Sequence, residues 1–187
     1  MLTSLRNYQG EEIEKERLQS VNFSEVNLKF SSFSNCVLVS CNFTGAQLDQ
    51  TLFTNCKFSG CCLSGVDFSE ISIKKCRFID TLLSYSTFQK FKAGSKYELV
   101  TTDLSSNTFE GTDLSNSVFN NCLLRKVKFE KTKLLNAVFK NCDLSEADLI
   151  SANIEGAIFS QCQIFQTKLS LDGLIKFGGG QGFVLES

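Results

Sequence analysis

The segment CDLSEADLISANIEG, residues 142–156, consists of three consecutive five-residue units. Each unit has a large aliphatic residue at its centre and a small residue two positions before that centre. The same spacing continues through the chain, because every fifth residue between positions 18 and 88, and again between 99 and 169, is Leu, Phe or Ile. Helices space apolar residues by three or four and half-buried strands by two, so a spacing of five indicates a solenoid.

The units CDLSE, ADLIS and ANIEG resemble the A(D/N)LXX signature of the pentapeptide repeat family. The resemblance covers roughly residues 16–170. It implies a right-handed quadrilateral β-helix, in which four pentapeptides form one square coil. We therefore expect an all-β protein of about eight coils with a short C-terminal helical cap.

Stacking of residues twenty positions apart is indicated by the residues themselves. Like residues recur at this spacing, as in the columns Phe119, Phe139, Phe159; Cys36, Cys56, Cys76; and Cys122, Cys142, Cys162. Because neighbouring strands lie about 4.8 Å apart, such a rod would be about 40 Å long.

Residues 1–187 are predicted to form one domain, because the five-residue pattern continues without a linker or a low-complexity segment. A solenoid needs a capping segment at each end to cover its apolar core. We expect the N-terminal cap at about residues 1–15, in and before the charged stretch GEEIEKERLQ (10–19), and the C-terminal cap at residues 170–187.

The pattern changes phase once, because Phe88 and Leu99 are eleven residues apart instead of ten. The segment FKAGSK, residues 91–96, is therefore either a six-residue loop outside the wall or a coil face with a one-residue bulge. The loop would align the two long cysteine columns, whereas the bulge better preserves the alternation of Phe and Leu. We favour the loop.

Loops on a rigid scaffold often carry function, and this one is basic with aromatic residues at its edges. A solvated bulge without a partner is the alternative interpretation. The candidate partner-contacting residues are Phe91, Lys92, Ser95, Lys96 and Tyr97.

The nine cysteines are predicted to be free thiols. Eight occupy the small inward position, where a thiol acts as a small buried hydrophobe, and Cys62 occupies an outward position where it would be the most reactive. No signal peptide and no membrane-spanning run is recognisable in the sequence, which indicates a cytoplasmic protein without membrane contact.

The composition argues against an enzyme. The sequence has no His, which excludes nucleophilic systems that use a His base and removes the commonest metal ligand. The inward cysteines lie along walls rather than at the corners of a tetrahedron, so no metal site is expected. Glycines 178–180 and 182 lack the flanking residues of a phosphate-binding loop. We expect neither a cofactor nor a metal.

Some members of the pentapeptide repeat family bind type II topoisomerases by imitating DNA and protect them from quinolones or peptide toxins. Such mimicry requires an acidic face, whereas this chain has 19 Lys and Arg against 20 Asp and Glu. The stacking rule also places opposite charges on adjacent coils, as in Lys29 and Asp49 or Lys126 and Glu146. The basic stretch at residues 125–133 is expected to wrap around several walls, so direct nucleic-acid binding is not predicted.

The segment SLDGLIKFGGGQGFVLES, residues 170–187, has Ser170 as an N-cap, a short helix, a glycine break and an apolar strand-like end. It resembles the C-terminal segment of Qnr-type and mycobacterial fluoroquinolone-resistance proteins, in which a helix and tail join two rods into a dimer. A cap that only covers the last coil is the alternative. The dimer or cap residues are Leu174, Ile175, Phe177, Phe183 and Leu185.

Two hypotheses follow for function, and both are non-catalytic. The chain is a protein-binding β-helix that occupies DNA gyrase or topoisomerase IV as a DNA mimic, or it is a general interaction scaffold or secreted effector with an unrelated protein partner. In the first hypothesis the 91–96 loop contacts the topoisomerase and the C-terminal tail forms a homodimer.

Overall fold

The computed structural model describes residues 7–184 and Glu186, and these form a β-solenoid of about seven turns. The predicted all-β, right-handed β-helix of the pentapeptide repeat type is confirmed, with about seven turns where the sequence suggested about eight coils. Its strands are two or three residues long, and all but one pair of them run parallel. Each pentapeptide contributes one side of a square coil.

Seventeen strands and one helix follow one another along the described chain. They are β1 (Glu12–Glu14), β2 (Arg17–Gln19), β3 (Ser32–Ser34), β4 (Val37–Val39), β5 (Leu52–Thr54), β6 (Lys57–Ser59), β7 (Ser72–Lys74), β8 (Arg77–Ile79), β9 (Thr87–Phe88), β10 (Lys90–Phe91), β11 (Leu99–Val100), β12 (Thr102–Asp103), β13 (Thr108–Glu110), β14 (Val118–Asn120), β15 (Cys122–Leu123), β16 (Val138–Lys140), β17 (Ile158–Ser160) and α1 (Leu171–Gly180).

The four sides of the rod are named walls A to D in chain order. Wall A contains β1, β3, β5 and β7, followed by the pair β12 and β15. Wall B contains β2, β4, β6, β8 and β13, and wall D contains β9, β14, β16 and β17. Wall C is held by isolated bridges in the column Asn22, Asn42, Cys62, Leu82, Asp113, Lys133 and Asn153.

The core is a set of stacked large side chains, one from each pentapeptide. In wall D the ring centroids of Phe119 and Phe139 are 4.7 Å apart and those of Phe139 and Phe159 are 5.0 Å apart, with nearly parallel planes. Rings from different walls meet edge to face, as in Phe129 and Phe139 at 6.3 Å. Both arrangements are favourable for aromatic pairs. The predicted stacking at intervals of twenty therefore fills the interior.

The small residue two positions before each centre also points inward, and many of these residues donate a hydrogen bond along the rod. The Cys56 thiol donates to the carbonyl oxygen of Phe33 in the preceding coil at 3.3 Å. The hydroxyl of Ser117 donates to the carbonyl oxygen of Leu83 at 2.8 Å. Buried Ser and Thr at this position, such as Ser117, are thus satisfied, as burial of a polar group requires, and the hydroxyl of Thr102 is an exception.

Most corners of the coil are turned by the residue two positions after the centre, which adopts a positive φ. Asn35, Asn55 and Lys75 do so at 58°, 54° and 54°. This left-handed conformation is the least strained for Gly and Asn, which explains why those residue types recur at the corners.

The phase change is larger than either predicted alternative. Phe78 stacks on Phe109 and Phe88 stacks on Phe119, so the spacing across the insertion is 31 residues instead of twenty. Eleven residues leave the coil and form an antiparallel hairpin of β10 and β11. Neither the six-residue loop nor the one-residue bulge describes this insertion. Leu99 pairs with Phe91 in the hairpin and is not a core residue.

Two further expectations are corrected at the N-terminal end and in the cysteine columns. Residues 12–19, expected in or beside a cap, already form β1 and β2, and the buried ring of Tyr8 meets Phe23 edge to face at 6.2 Å. The inward residue that follows Cys76 is Asn107, whose side chain accepts from the Cys76 backbone N–H at 2.9 Å. The two long cysteine columns therefore belong to different walls.

Candidate protein-interaction surfaces

The hairpin of residues 90–100 is the one interruption of the coil path in the described chain. The Lys92 backbone N–H donates to the Glu98 carbonyl oxygen at 2.8 Å, and the Lys92 Nζ lies 2.9 Å from the Glu98 Oε1. The Ser95 hydroxyl oxygen accepts from the backbone N–H groups of Tyr97 and Glu98 at 3.2 and 2.9 Å. Gly94 has a φ of 78° at the turn. These bonds give the projecting tip a defined conformation.

A groove of about 710 Å³ separates the hairpin from walls A and D. Four of the five predicted contact residues line it, namely Phe91, Lys92, Ser95 and Lys96. The fifth, Tyr97, does not line the groove and is 92% exposed to solvent. The predicted loop residues therefore divide between a groove wall and an exposed tip.

The opposite side of the groove comes from residues that the sequence did not assign to partner contact. They include Leu52, which is 48% exposed, and Glu70 and Ser72. The groove thus combines the apolar Leu52 and Phe91 with three lysines, Lys90, Lys92 and Lys96, and one carboxylate, that of Glu70, on the side opposite the hairpin. The sequence does contain a signal for this side of the groove, because Leu52 is a large apolar residue at an outward position that is usually polar. Its closeness to the hairpin, however, depends on how the hairpin folds.

The hairpin junction leaves an imperfectly packed region below it. A cavity of about 110 Å³ lies between walls A and D and is lined by residues that include Ile73, Phe88 and Leu104. The buried hydroxyl of Thr102, where the chain re-enters wall A, has no hydrogen-bond partner. An unpaired buried hydroxyl costs stability, so the insertion is retained at a cost to the fold.

The C-terminal helix α1 covers the last coil. The Ser170 hydroxyl accepts from the Gly173 backbone N–H at 3.0 Å, which confirms the predicted N-cap. The Phe177 ring packs against Phe159 at 5.5 Å, and a cavity of about 150 Å³ lies beside that contact. The prediction that the helix ends at the glycines is wrong, because the helix continues through residues 178–180.

The predicted dimer or cap residues have different environments in the structure. Phe177 is half-buried against the core and acts as a cap residue. Leu174, Ile175 and Phe183 are exposed, Phe183 to 76%. Neither Phe183 nor Val184 lies in a strand, and Leu185 is outside the described residues. Leu171 and Val184 add to the exposed apolar surface at this end of the rod.

All nine cysteines are free thiols. Seven are buried, and Cys162, in the last coil, is half-buried like Cys62. The neighbouring Cys122 thiol, together with burial, raises the pKa of Cys142 to about 12, so it stays protonated at neutral pH. Burial raises the pKa of Cys62, but hydrogen bonds from Thr44 and Ser64 outweigh it and leave the pKa below its ordinary value. Cys62 is therefore the more acidic of these two thiols.

Two of the predicted charge pairs form between adjacent coils. Lys29 Nζ lies 2.7 Å from Asp49 Oδ2, and Lys126 Nζ lies 3.6 Å from Glu146 Oε2. Asp113 and Lys133 are backbone neighbours in wall C but make no ion pair within 4.0 Å. Within the described ranges, no group of three or more Cys, Asp or Glu is placed to hold a metal ion. No helix in that part of the chain is long and apolar enough to cross a membrane.

Two family models match the chain. The model of the pentapeptide repeat region matches residues 112–172, and the model of pentapeptide repeats in eight copies matches residues 22–60. Together they cover more than half of the sequence. The chain belongs to the pentapeptide repeat family.

Solved structures of QnrB1, a plasmid-mediated fluoroquinolone resistance protein, share the fold. A trypsin-treated variant aligns with a TM-score of 0.64 at 20% identity, over 99% of this chain and 96% of that chain. Full-length QnrB1 aligns with a TM-score of 0.53 at 16% identity, over 92% of this chain and 100% of that chain.

HetL is a pentapeptide repeat protein involved in heterocyst differentiation regulation from the cyanobacterium Nostoc sp. It aligns with a TM-score of 0.37 at 17% identity, over 90% of this chain and 92% of that chain. Comparison with curated proteins finds no significant match. At these identities the likeness to QnrB1 is a likeness of fold.

Proposed function

We propose that this chain is a non-catalytic, protein-binding β-helix whose partner docks at the hairpin groove. The observation that carries the proposal is the eleven-residue hairpin, which projects from an otherwise regular rod and borders a groove lined by the exposed Leu52. The coil closes equally well without an insertion at every other turn. A feature that costs packing at Thr102 and adds an exposed Tyr97 is expected to serve a partner.

Non-catalytic function is supported by the chemistry of the surface. The sequence has no His, and the thiols other than Cys62 and Cys162 are buried. The carboxyl group of Asp143 is an example of an acid on the wall surface that is held in its ionised form. Burial raises its pKa, but hydrogen bonds from Ser145 and the charge of Arg125 outweigh that effect and lower it. An acid held ionised in this way does not act as a proton donor at neutral pH.

The partner that we propose is a type II topoisomerase, DNA gyrase or topoisomerase IV. QnrB1 is a fluoroquinolone resistance protein with the same fold over nearly the whole chain, and fluoroquinolones poison type II topoisomerases. The exposed apolar residues Leu174, Ile175 and Phe183 support a homodimer through the C-terminal end, with Phe177 as its cap. We place the protein in the cytoplasm, where these enzymes act and where nine free thiols would remain reduced.

A general interaction scaffold, or a secreted effector with an unrelated partner, is the second candidate, and the charge distribution favours it. A DNA mimic needs a continuous acidic face, whereas the formal net charge is −1. Ion pairs such as Lys29 with Asp49 neutralise charges between coils.

Binding to a topoisomerase through the hairpin groove does not require imitation of DNA. For the topoisomerase we therefore propose docking by shape and apolar contact at the groove.

The test is a supercoiling assay with purified gyrase, ciprofloxacin and increasing amounts of the protein. A variant that lacks residues 91–101 removes the hairpin and joins Lys90 to Thr102 in the regular five-residue phase. We expect the full chain to restore supercoiling and the deletion variant to fail. No rescue by the full chain would reject the topoisomerase as partner and leave the scaffold. Equal rescue by both chains would reject the hairpin groove as the docking site.

A further inference from the structure

Wall B carries a column of exposed cations in the N-terminal half of the rod. Arg17, Val37, Lys57 and Arg77 are successive partners in the parallel ladder of β2, β4, β6 and β8. Lys57 and Arg77 are thus directly adjacent, about 4.8 Å apart along the rod. All three basic residues are exposed. Because the spacing in sequence is twenty, the column is dispersed in the linear sequence.

Two further cations lie at the edge of the same wall. Lys74 ends β7 of wall A, and Lys75 turns the corner between Lys74 and wall B. Both are exposed. The patch of Arg17, Lys57, Lys74, Lys75 and Arg77 is called the basic patch of wall B.

The basic patch is not neutralised within the fold. In the described chain none of its five residues makes an ion pair within 4.0 Å, in contrast to Lys29 with Asp49 and Lys126 with Glu146. The acids near the patch are Glu16 at the first coil, Asp80 at the opposite corner of the wall and Glu110, the ladder partner of Ile79 in the next coil. The formal net charge of the chain is −1, so everything outside this patch of five cations sums to −6. In the N-terminal half of wall B, stacking therefore does not place opposite charges on adjacent coils.

Like charges directly opposite one another on adjacent strands destabilise a sheet. The pair of Lys57 and Arg77 has this arrangement in the middle of wall B. A polar neutral residue at either position would relieve the repulsion without changing the core, since both side chains point outward. An anion bound at the patch would offset this repulsion.

The same wall offers aliphatic surface between the cations. Val37 and Val39 in β4 and Ile79 in β8 are half-buried, and their side chains flank Lys57 and Arg77. The wall is flat and its outward residues in β2, β4, β6 and β8 include no aromatic ring. Nucleic-acid sites use a groove that follows the phosphates or aromatic rings that stack on bases. A flat surface of aliphatic residues and cations instead fits an acidic protein segment with apolar side chains.

We propose that the basic patch of wall B is a second docking site, which binds an extended acidic segment of a partner protein through its carboxylates and aliphatic side chains. The site is separate from the hairpin groove, which lies at walls A and D. It does not depend on a topoisomerase as the partner. It gives the rod two faces for protein contact, one beside the hairpin and one on wall B.

The experiment measures the fluorescence anisotropy of a labelled twelve-residue peptide that alternates Glu and Leu, with the full chain and two variants. Lys57→Glu reverses a charge in the patch, and Lys140→Glu makes the same change in net charge on wall D. We expect the peptide to bind the full chain, Lys57→Glu to weaken binding at least about fivefold, and Lys140→Glu to weaken it less than about twofold.

The fold is monitored by thermal unfolding, in which Lys57→Glu is expected to melt at or above the temperature of the full chain, since the introduced carboxylate would face Arg77. No binding of the peptide would overturn the proposal. Equal weakening by both variants would show attraction by net charge alone and would overturn it too. Tighter binding of a twelve-nucleotide single-stranded DNA than of the peptide would reject the protein partner in favour of a nucleic acid.

Discussion

At the scale of single residues, each pentapeptide combines a large central side chain with a small donor two positions earlier. The centre provides the apolar contact between coils, as in the stacked rings of Phe119, Phe139 and Phe159. The small residue leaves room for these rings, and as Cys, Ser or Thr it also donates to a carbonyl oxygen of the previous coil. Cysteine is therefore frequent for packing, and its reactivity is of secondary importance.

The substitution Phe139→Asp tests the inward assignment. It would place a carboxylate between the rings of Phe119 and Phe159 in a buried column. We expect a loss of more than about 4 kcal/mol in the free energy of unfolding, measured by urea denaturation.

The matched control for Phe139→Asp is Lys140→Asp, because Lys140 is the next residue of β16 and is exposed. The control is expected to change the free energy of unfolding by less than about 0.5 kcal/mol. A urea midpoint of Phe139→Asp equal to that of the control would contradict the placement of this ring in the core.

At the scale of elements, the hairpin is an insertion that the β-helix does not need. Removal of residues 91–101 leaves Lys90 at the corner position, where Lys15, Lys75 and Lys126 already adopt a positive φ. Phe88 would then be followed by Leu104 five positions later, and wall A would continue without interruption. We expect the melting temperature of the deletion variant to equal or exceed that of the full chain, since a shorter connection loses less entropy on folding.

A shorter deletion distinguishes the structure from the six-residue loop that the sequence suggested. Removal of residues 91–96 alone would leave five extra residues, which is one side of a coil. The C-terminal half would have to turn by a quarter of a coil or keep a strained loop. We expect this variant to melt at a lower temperature than the deletion of residues 91–101, and the reverse order would contradict the eleven-residue insertion.

The C-terminal helix is the second element with a testable role. Ile175 and Phe183 are exposed, whereas Phe177 contacts Phe159 in the last coil. We expect the double substitution Ile175→Asp and Phe183→Asp to convert a dimer to a monomer in sedimentation velocity without a change in melting temperature. Phe177→Asp is expected to lower the melting temperature. A full chain that sediments as a monomer would limit the helix to capping.

At the scale of the whole molecule, the architecture could be predicted because one short pattern repeats. Alternating small and large residues at fixed positions define the coil, and stacking at intervals of twenty follows from four sides of five residues. The size of the insertion could not be predicted, because insertions of one, six or eleven residues give the same phase. Leu99 lies five residues before the core residue Leu104 and therefore fits the pattern, although it is part of the hairpin.

The candidate surfaces differ in how far the sequence predicts them, because some of their residues are adjacent in sequence and others are brought together only by folding. Phe91, Lys92, Ser95 and Lys96 were found because they lie together in sequence where the pattern breaks. Leu52 was not found, because its contact with the groove depends on how the hairpin folds against wall A. The pair of Lys57 and Arg77 is twenty residues apart and becomes a patch only when the coils stack.

The central claim is that the hairpin of this rigid rod is a docking element. The most direct measurement is the affinity of the full chain and of the variant lacking residues 91–101 for DNA gyrase, by isothermal titration calorimetry. We predict micromolar or tighter binding by the full chain and at least about tenfold weaker binding by the deletion variant, with both chains fully folded. No binding by the full chain would reject gyrase as the partner, and equal affinities of the two chains for gyrase would contradict the claim that the hairpin is the docking element.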